Sequence, residues 1–539
     1  MTTKLRCGSL LVLLLMAQPS RGQVKYEDIL QGPGANWLTY HGDYKGWRYS
    51  RLNQITRDNV ARLVPKWTYH VDGANRLETT PIVSDGIMYI TNTNEVDALD
   101  ARTGRLIWQY RDDQAAQQSV NRGVAVLGDR VYFVTSDVHL VALERNTGGV
   151  LWQKQYAPAD KAYNATLAPL ALKDRVIVGV SGGDSGMRGF VAALSASTGE
   201  ELWRFWTIPA RGEPGGDTWN GFPAEYGGGA TWMTGTYDPE LNLIYWAVGN
   251  PWPDLYDQGR HGDNLYTCSV VALDADTGKL KWYFQFTPHD THDWDAQSIP
   301  VLVDLDFDGR RRKLLLHPNR NGFFYVLDRT NGQFLRATPF VKNLTWAKGI
   351  DSKGRPIEAP NMDPTPEGTR VCPSLEGASN WMSPSFDPQT ALLYVPSLEQ
   401  CAIFTRSDSA PEPQKGLMGG GAGQIPSEPG KFFLRALDPK TGSMRWEYPM
   451  TGPVTMWAGA VSTAGGVVFF GDDDGQLVAL DATTGKYLWH HYMGQTLTAS
   501  PITYSVNGKQ YVCIASATDV FAFGLFEPAV PVPLVTTGQ

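Results

Sequence analysis

Short apolar runs alternate with turn-forming residues along the whole chain, and one combination recurs. An apolar run ends in Ala-Leu-Asp, two variable residues and Thr-Gly follow, and a Trp stands after three further residues. The apolar run predicts a β-strand. Asp and Thr side chains bond to nearby amides of a tight turn, and Gly supplies its positive φ. The residues that lead to the Trp predict the next strand of the hairpin.

The combination occurs seven times. Complete copies begin at Ala98, Ala272, Ala436 and Ala479, looser copies at Ala142 and Ala193, and a copy without the Trp at Val326. A unit repeated about every 40–50 residues indicates a radial array of sheets. The sequence therefore predicts an all-β fold, a β-propeller in which each Trp packs between neighbouring blades. A β-sandwich with similar hairpins is the alternative, and seven copies of one phrase disfavour it.

Composition agrees with one large all-β domain over residues 23–539. The chain of 539 residues contains 56 Gly and 35 Pro, as expected for many turns, and 18 Trp, as expected from the repeat. Its formal net charge is −8 and its pI is about 5.7. This balance argues against a nucleic-acid-binding protein.

The N-terminus has the pattern of a signal peptide over residues 1–22. Lys4 and Arg6 precede an apolar run at residues 10–16, and small residues follow before Gln23. The run is too short to span a bilayer, and no later segment is long and apolar enough. We expect export to the periplasm and no transmembrane segment in the mature chain. An uncleaved membrane anchor is the alternative.

The cysteines fit an exported protein. Cys372 and Cys401 flank a strand-rich stretch, where export permits a disulfide. Cys268 and Cys513 lie in apolar strands, and we expect them to be buried free thiols rather than a metal pair. No Cys-x-x-Cys-His motif occurs, so we expect no c-type haem on this chain.

Polar residues collect in the long gaps between repeats. We expect these loops at one mouth of the propeller channel. Asp184, Asn250, Asp293 and Asp295 offer only hard oxygen ligands, which suit Ca²⁺ or a similar cation. Each one alone is explained by turn capping. His289 and His292 allow a zinc site as an alternative, but we interpret them as loop residues.

Longer motifs make the chain resemble a known family. They occupy residues 36–42, 49–55, 78–81, 120–123, 262–266 and 464–469. In these motifs and their order, the chain resembles the pyrroloquinoline quinone (PQQ)-dependent alcohol dehydrogenases, quinoproteins with eight-bladed propellers. The resemblance covers nearly the whole mature chain. It implies oxidation of an alcohol with PQQ and a metal ion. The eighth blade is expected to join the C-terminal segment 511–523 to a strand around Trp67.

The resemblance also implies residue roles. Trp232 matches the floor under the PQQ ring, and Asp293 and Arg320 match the catalytic base and the residue bonded to the reactive quinone oxygen. Further cofactor contacts correspond to Glu78, Arg122, Thr166, Ser181, Gly182, Gly183, Asn380 and Trp457. Asp184 and Asn250 match metal ligands, completed by Asp293 and Asp295. A flat tricarboxylate needs a stacking surface, cations and donors. The alternative roles are blade packing for Trp232, bridging for the arginines and strand capping for Glu78.

Three departures from the family pattern bear on the cofactor and the ion. Asp184 stands where relatives have Glu, and residues 115–119 lack the adjacent cysteine pair that covers PQQ in many relatives. Asp295, two residues after Asp293, resembles the marker of lanthanide-using members. A trivalent ion needs more compensating negative charge, so we favour a lanthanide over Ca²⁺. The alternative is a Ca²⁺ site with Asp295 as a solvated turn residue.

The sequence thus predicts an exported enzyme that oxidises a primary or other small alcohol to the aldehyde or ketone. Electrons would pass singly to a separate cytochrome c. Two alternatives stay open: a non-catalytic propeller scaffold of the cell envelope, and a soluble PQQ dehydrogenase for a polyol or sugar.

Overall fold

The computed structural model describes residues 22–114, 119–158, 161–415, 419–424, 430–452 and 458–528. Within these ranges the strands form eight antiparallel four-stranded units, which we number as blades 1–8. Blade 1 contains Ile82–Ser84, Ile87–Asn92, Glu95–Asp100 and Leu106–Arg111; blade 2 contains Ala125–Leu127, Arg130–Val134, His139–Glu144 and Val150–Gln155; blade 3 contains Leu170–Leu172, Arg175–Val178, Phe190–Ser195 and Glu201–Trp206; blade 4 contains Thr236–Asp238, Leu243–Ala247, Ser269–Asp274 and Leu280–Gln285.

The second half of the chain continues the series. Blade 5 contains Val301–Phe307, Arg310–Pro318, Phe323–Asp328 and Gln333–Pro339; blade 6 contains Ser385–Asp387, Leu392–Glu399, Lys431–Leu437 and Met444–Pro449; blade 7 contains Ala460–Thr463, Val467–Gly471, Gln476–Asp481 and Tyr487–Tyr492; blade 8 contains Ile502–Val506, Lys509–Ala515, Asp519–Leu525 and, from the N-terminal part, Leu63–His70. A short strand, Tyr49–Ser50, pairs in parallel with the first strand of blade 7.

Blade 8 closes the ring. The N-terminal strand Leu63–His70 pairs antiparallel with Asp519–Leu525, and Trp67 lies opposite Ala522. This confirms the predicted pairing of the C-terminal segment with the strand around Trp67. The predicted segment comprises two strands of a hairpin rather than one, because residues 516–518 turn the chain. A closed ring leaves no long unpaired sheet edge.

The recurring Trp packs on a glycine of the next blade at six of the eight junctions. A Cβ built on Gly278 of blade 4 would lie 2.4 Å from the indole of Trp203 in blade 3, so only Gly permits this contact. The Trp203 indole N–H also donates to the Ala275 carbonyl, at 3.2 Å. The same ring-on-glycine contact pairs Trp67 with Gly104, Trp108 with Gly148, Trp152 with Gly199, Trp282 with Gly332 and Trp446 with Gly485. These contacts confirm the predicted propeller and its tryptophan docking.

In the copy of the repeat without a Trp, a threonine makes the contact with the next blade. Blade 5 ends in Gln333–Pro339, and Thr338 contacts Gly442 of blade 6, where a Cβ would lie 2.5 Å from the threonine Oγ1. The Thr338 hydroxyl donates to the Gly442 carbonyl at 2.9 Å. A hydrogen-bonded hydroxyl replaces the indole at this junction.

Smaller elements decorate the blades. They are an α-helix, Tyr26–Leu30; four 3₁₀ turns, Val60–Arg62, Gly183–Ser185, Gly216–Trp219 and Ala224–Tyr226; a hairpin of Ala347–Ile350 with Pro356–Glu358; and a sheet of Thr369–Val371, Ala402–Arg406 and Gly421–Gln424. A disulfide joins Cys372 to Cys401 beside the paired residues Val371 and Ala402. This confirms the predicted disulfide.

Burial follows the position of a strand within its blade. The first strands of blades 1–4 are buried along their whole length, whereas the outermost strand of blade 2 has no buried residue. Cys268 and Cys513 are buried free thiols, as predicted. In the part of the chain that the structure describes, no helix is long and apolar enough to cross a membrane. Apart from Gly22, the predicted signal peptide lies outside the described residues.

Candidate active site

The predicted site residues lie on two kinds of connection. One kind joins the second and third strands of a blade, and it carries Asp184, Asn250 and Arg320. The other kind joins successive blades, and it carries Asp293 and Asp295 among others. In an antiparallel four-stranded blade both kinds leave from the same end of the sheet. The topology therefore brings these residues to one mouth of the ring.

A chain of buried polar contacts links four of the predicted cofactor residues. The Arg122 guanidinium pairs with Glu78 at 2.6 Å and donates to the Thr166 hydroxyl at 2.6 Å. The Thr166 and Ser181 hydroxyl oxygens lie 2.9 Å apart. Arg76 makes a second ion pair with Glu78. The structure thus joins residues from four different connections into one polar wall.

Arg122 lies between two indoles. Its guanidinium carbon is 4.9 Å from the ring centroid of Trp232 and 4.6 Å from that of Trp381. Its Nε has no hydrogen-bond partner among the described residues. A half-buried indole face, a cation and an unused donor are the groups that a flat anionic ring system requires. These contacts agree with the predicted role of Trp232 as a stacking surface.

A glycine turn places Asp184. Gly182 has a φ of +106°, and a Cβ there would lie 2.1 Å from the Ala162 carbonyl oxygen. Asp184 follows within the 3₁₀ turn Gly183–Ser185. A Cβ on Gly183 would lie 3.1 Å from the Ala230 Cβ and 3.9 Å from the Asn250 Oδ1, so the turn packs closely on both segments. The structure brings Asp184 and Asn250 together.

Asp295 connects three other predicted site residues, namely Trp232, Asn250 and Arg320. Its Oδ2 accepts from the Trp232 indole N–H at 2.9 Å and from Arg320 at 3.1 Å. Its Oδ1 accepts from the Asn250 backbone N–H at 2.7 Å. A Cβ on Gly249 would lie 2.4 Å from this Oδ1, so Gly249 makes room for the carboxylate. Asp295 is 5% exposed and is not the solvated turn residue of the Ca²⁺ alternative.

Arg320 is shared by two carboxylates. Besides Asp295, its guanidinium lies 3.7 Å from Asp293, which occupies a left-handed backbone conformation with a φ of +58°. Arg320 also donates to the Leu375 carbonyl. A Cβ on Gly377 would lie 2.6 Å from the Arg320 Cβ, so this glycine lets the covering segment approach the arginine.

The mouth holds more negative charge than its one shared arginine can offset. Burial raises the pKa of Asp293 well above its usual range against the attraction of Arg320, and the charges of Asp184 and Asp295 raise it further. Burial raises the pKa of Asp295 to about 6 and also raises that of Asp184, although Arg320 opposes both shifts. Strongly perturbed carboxylates in a cleft mark a functional site.

The remaining predictions have different outcomes. Asn380 is buried on the segment that covers Arg320, and its amide donates to the Glu376 carbonyl at 3.0 Å. Trp457 lies outside the described residues. His289 contacts Gly262 and Asp257, whereas His292 stacks on Trp294 and contacts Met362. The two histidines do not converge, so the zinc alternative is wrong.

The sequence interpretation missed three residues of the site. Trp381 and Gly249 complete the indole pair and the space for Asp295. Asp254 is fully buried close to Asp184 and Asp295, whose charges add to burial in raising its pKa well above the usual range. Its position four residues after Asn250 was the available signal, although a carboxylate in a loop has no distinctive pattern.

The donor set fits PQQ and a hard cation. Among the described residues, no three His, Cys, Asp or Glu side chains converge closely enough to hold a metal by themselves. A metal here would need the Asn250 amide and oxygens from a bound cofactor besides the carboxylates. Oxygen donors alone suit Ca²⁺ or a lanthanide and exclude a thiolate or imidazole site.

Comparisons with known proteins agree with this site. The family model described as "PQQ: Glucose/ethanol/alcohol dehydrogenase, beta-propeller domain" matches residues 37–342 and 447–512. The quinoprotein alcohol dehydrogenase PedH of Pseudomonas putida is 36% identical over 93% of this chain and 90% of its own length. The lanthanide-dependent methanol dehydrogenase of Methylacidiphilum fumariolicum is 35% identical over 95% of this chain and 89% of its own.

Solved structures show the same architecture. The quinohemoprotein alcohol dehydrogenase ADHIIG from Pseudomonas putida superposes with a TM-score of 0.87 at 34% identity, covering 95% of this chain and 84% of the other. A europium-containing methanol dehydrogenase superposes with a TM-score of 0.84 at 32% identity, covering 91% and 98%. Sequence and structure together favour an enzyme over the non-catalytic scaffold. The chain belongs to the quinoprotein alcohol dehydrogenases and is a PQQ-dependent alcohol dehydrogenase.

Proposed function

We propose that this protein is an exported dehydrogenase that oxidises a small primary alcohol with PQQ and a bound lanthanide ion. It passes the electrons singly to a separate cytochrome c. The observation that carries the proposal is the set of bonds made by Asp295, which gathers Trp232, Asn250 and Arg320 around one carboxylate.

The cofactor would be held by stacking and by charge. Trp232 offers the ring face, and Arg122, Thr166 and Ser181 form the polar wall beside it. Glu78 holds Arg122 in place through its ion pair. When bound there, PQQ would supply a hydride acceptor, and a metal ion held by the acidic mouth would supply Lewis-acid polarisation.

Asp293 is the proposed base. It is one of the acidic side chains next to Arg320, and its pKa is raised because it is buried among other carboxylates. A raised pKa brings a carboxylate closer to the strength needed to take a hydroxyl proton near neutral pH. Arg320 links Asp293 and Asp295 through its guanidinium, and its buried Nε has no hydrogen-bond partner among the described residues.

The charge of the mouth supports a trivalent ion. Asp184 and Asp295 contact the predicted metal ligand Asn250, and the charges of Asp184 and Asp295 act on Asp293, which Arg320 holds at the same mouth. Uncompensated negative charge favours the ion of higher charge. Two relatives are a lanthanide-dependent and a europium-containing methanol dehydrogenase. We carry this preference over to the present chain.

Two further parts of the proposal rest on relatives and on the disulfide. A 1-butanol dehydrogenase (cytochrome c) of Thauera butanivorans is 35% identical over 89% of this chain. This relative supports a cytochrome c as acceptor here. The disulfide between Cys372 and Cys401 supports export, because such bonds persist in oxidising compartments.

The test is a dye-linked alcohol oxidation assay on the purified protein. The protein is supplied with PQQ and La³⁺, with PQQ and Ca²⁺, or with PQQ alone, and an absorption spectrum of bound quinone is recorded each time. With La³⁺ we expect oxidation of the primary alcohols in the series from methanol to butanol. With Ca²⁺ we expect little oxidation of these alcohols. Turnover with Ca²⁺ alone would remove the lanthanide from the proposal. Turnover confined to polyols or sugars would favour the other substrate class.

A further inference from the structure

Asp254 lies on the loop that follows the predicted metal ligand Asn250. Trp252 of this loop packs on the turn that carries Asp184, because a Cβ on Gly186 would lie 3.0 Å from the Trp252 indole. Pro251 forms a bridge with Gly228 of the glycine-rich segment before Trp232. These contacts hold the loop against the acidic mouth.

The Asp254 carboxylate is buried with little polar contact. It is 0% exposed, no side chain of the described residues donates a hydrogen bond to it, and the backbone amide of Gly419 lies beside it. The buried guanidinium nearby, Arg260, uses its donors on the Pro253, Asp254 and Asp290 carbonyls and on the Asn264 side chain. Arg260 therefore fixes the loop backbone and acts on the carboxylate only through its charge.

The surroundings of Asp254 are acidic. The charges of Asp184 and Asp295 act on it, and Arg260 only partly offsets them. A buried carboxylate with so few hydrogen bonds is costly unless a ligand satisfies it. A cation that the other acidic residues of the mouth also face would do so.

We propose that Asp254 is a further ligand of the metal ion and raises the preference of the site for a trivalent over a divalent cation. This inference rests on the metal site of the proposed function. Like charges in one site repel one another, and a bound cation offsets that repulsion. A bound ion draws Asp254 and Asp184 toward a common centre from adjacent loops.

The test compares the variant Asp254→Asn with the wild type and with Asp257→Asn. Asp257 is the matched control because it removes the same charge from the same loop, where its carboxylate pairs with His289 at 3.3 Å. Calorimetric titrations of the PQQ-containing protein measure affinities for La³⁺ and Ca²⁺. Because ligand charge sets affinity, we expect Asp254→Asn to weaken La³⁺ binding about tenfold or more and to lower the La³⁺/Ca²⁺ affinity ratio. Asp257→Asn should stay within about twofold of wild type.

Two further readouts separate ligation from a structural role. The decay of directly excited Eu³⁺ luminescence in H₂O and D₂O counts coordinated waters, and Asp254→Ala should add about one water in place of the lost ligand. Metal-free Asp254→Asn should unfold at the same or a higher temperature than wild type, because the neutral amide removes a buried unpaired charge. A lower unfolding temperature would show a structural residue and overturn the proposal.

The outcomes distinguish this inference from the proposed function. Wild type that binds La³⁺, with Asp254→Asn binding it equally well, overturns the role of Asp254 and leaves the metal site intact. Wild type that binds neither La³⁺ nor Ca²⁺ overturns the metal site and this inference together.

Discussion

The hairpin turns of the blades and the acidic mouth are built from the same residue types with opposite results. In the blade 4 hairpin, the Asp274 carboxylate accepts from the backbone amides of Asp276 and Thr277. The Trp203 indole covers Gly278 and donates to the Ala275 carbonyl. These polar groups are satisfied within one turn and its neighbouring blade.

The mouth instead crowds several carboxylates around few cations. Asp293 and Asp295 share Arg320, and no side chain of the described residues donates a hydrogen bond to Asp254. The pKa values record the contrast. That of Asp274 lies below its usual range because bonds from Thr277 and Lys281 outweigh burial, whereas that of Asp293 lies well above. The hairpins satisfy their polar groups locally, whereas we propose that the acidic residues of the mouth bind a cation.

The largest effect is expected at the base. Asp293→Asn keeps the shape of the side chain but cannot take the proton, so kcat should fall about 10³-fold. Steady-state kinetics with the dye-linked assay measure this loss, and the spectrum of bound quinone serves as the control. Unchanged turnover would show that Asp293 is not the base. It would also contradict the functional role that distinguishes the mouth from the hairpins.

A smaller effect, on stability alone, is expected at the hairpins. Gly278→Ala would place a Cβ 2.4 Å from the Trp203 ring at a φ of +67°. Overpacking and backbone strain together should lower the free energy of unfolding by about 3 kcal/mol. Gly73→Ala is the control: its φ is +73° and no atom lies within 4 Å, so it carries strain without the clash. Equal unfolding temperatures for the two variants would argue against indole docking.

The stabilisation of the protein by a bound metal ion should depend on the acidic mouth and not on the hairpins. La³⁺ at about 100 times its Kd should stabilise the PQQ-containing protein by about 2.7 kcal/mol. Gly278→Ala should gain the same increment because the two regions are far apart and independent, whereas Asp184→Ala should gain little. Thermal unfolding with and without La³⁺ measures both. An increment in Asp184→Ala equal to that of wild type would place the ion elsewhere.

The smallest expected effect is the pH dependence of the stability that Asp274 contributes to its hairpin. Because the pKa of Asp274 is lowered in the folded protein, its charge stabilises the fold above the unfolded pKa of 3.8, and this contribution is lost as pH falls through the folded pKa. Asp274→Asn should therefore cost about 0.5–1 kcal/mol at pH 6 and progressively less toward pH 3. Denaturant unfolding of wild type and variant at pH 6 and pH 3 measures this loss in the free energy of unfolding. A larger loss at pH 3 than at pH 6 would contradict the prediction.

The fold was predictable because its determinants are local. Asp274, Thr277 and Gly278 specify one turn within five residues, and the phrase repeats often enough to indicate a ring. The substitution of Thr338 for a docking Trp was not predictable, since the replacement lies outside the phrase and contacts another blade.

The site was predictable only in part. Family motifs marked Trp232, Asp293 and Arg320, and the structure brings these three together through Asp295. Their catalytic roles stay predictions. Asp254 was missed because its meaning depends on burial and on the lack of a side-chain donor, and both are set by distant loops.

The most direct measurement is a crystal structure with PQQ and a lanthanide, with anomalous diffraction recorded at the absorption edge of the lanthanide. The account predicts one anomalous peak within bonding distance of Asp184, Asn250 and Asp293, with the quinone stacked on Trp232. A peak outside the acidic mouth, or a cofactor bound away from Trp232, would contradict it.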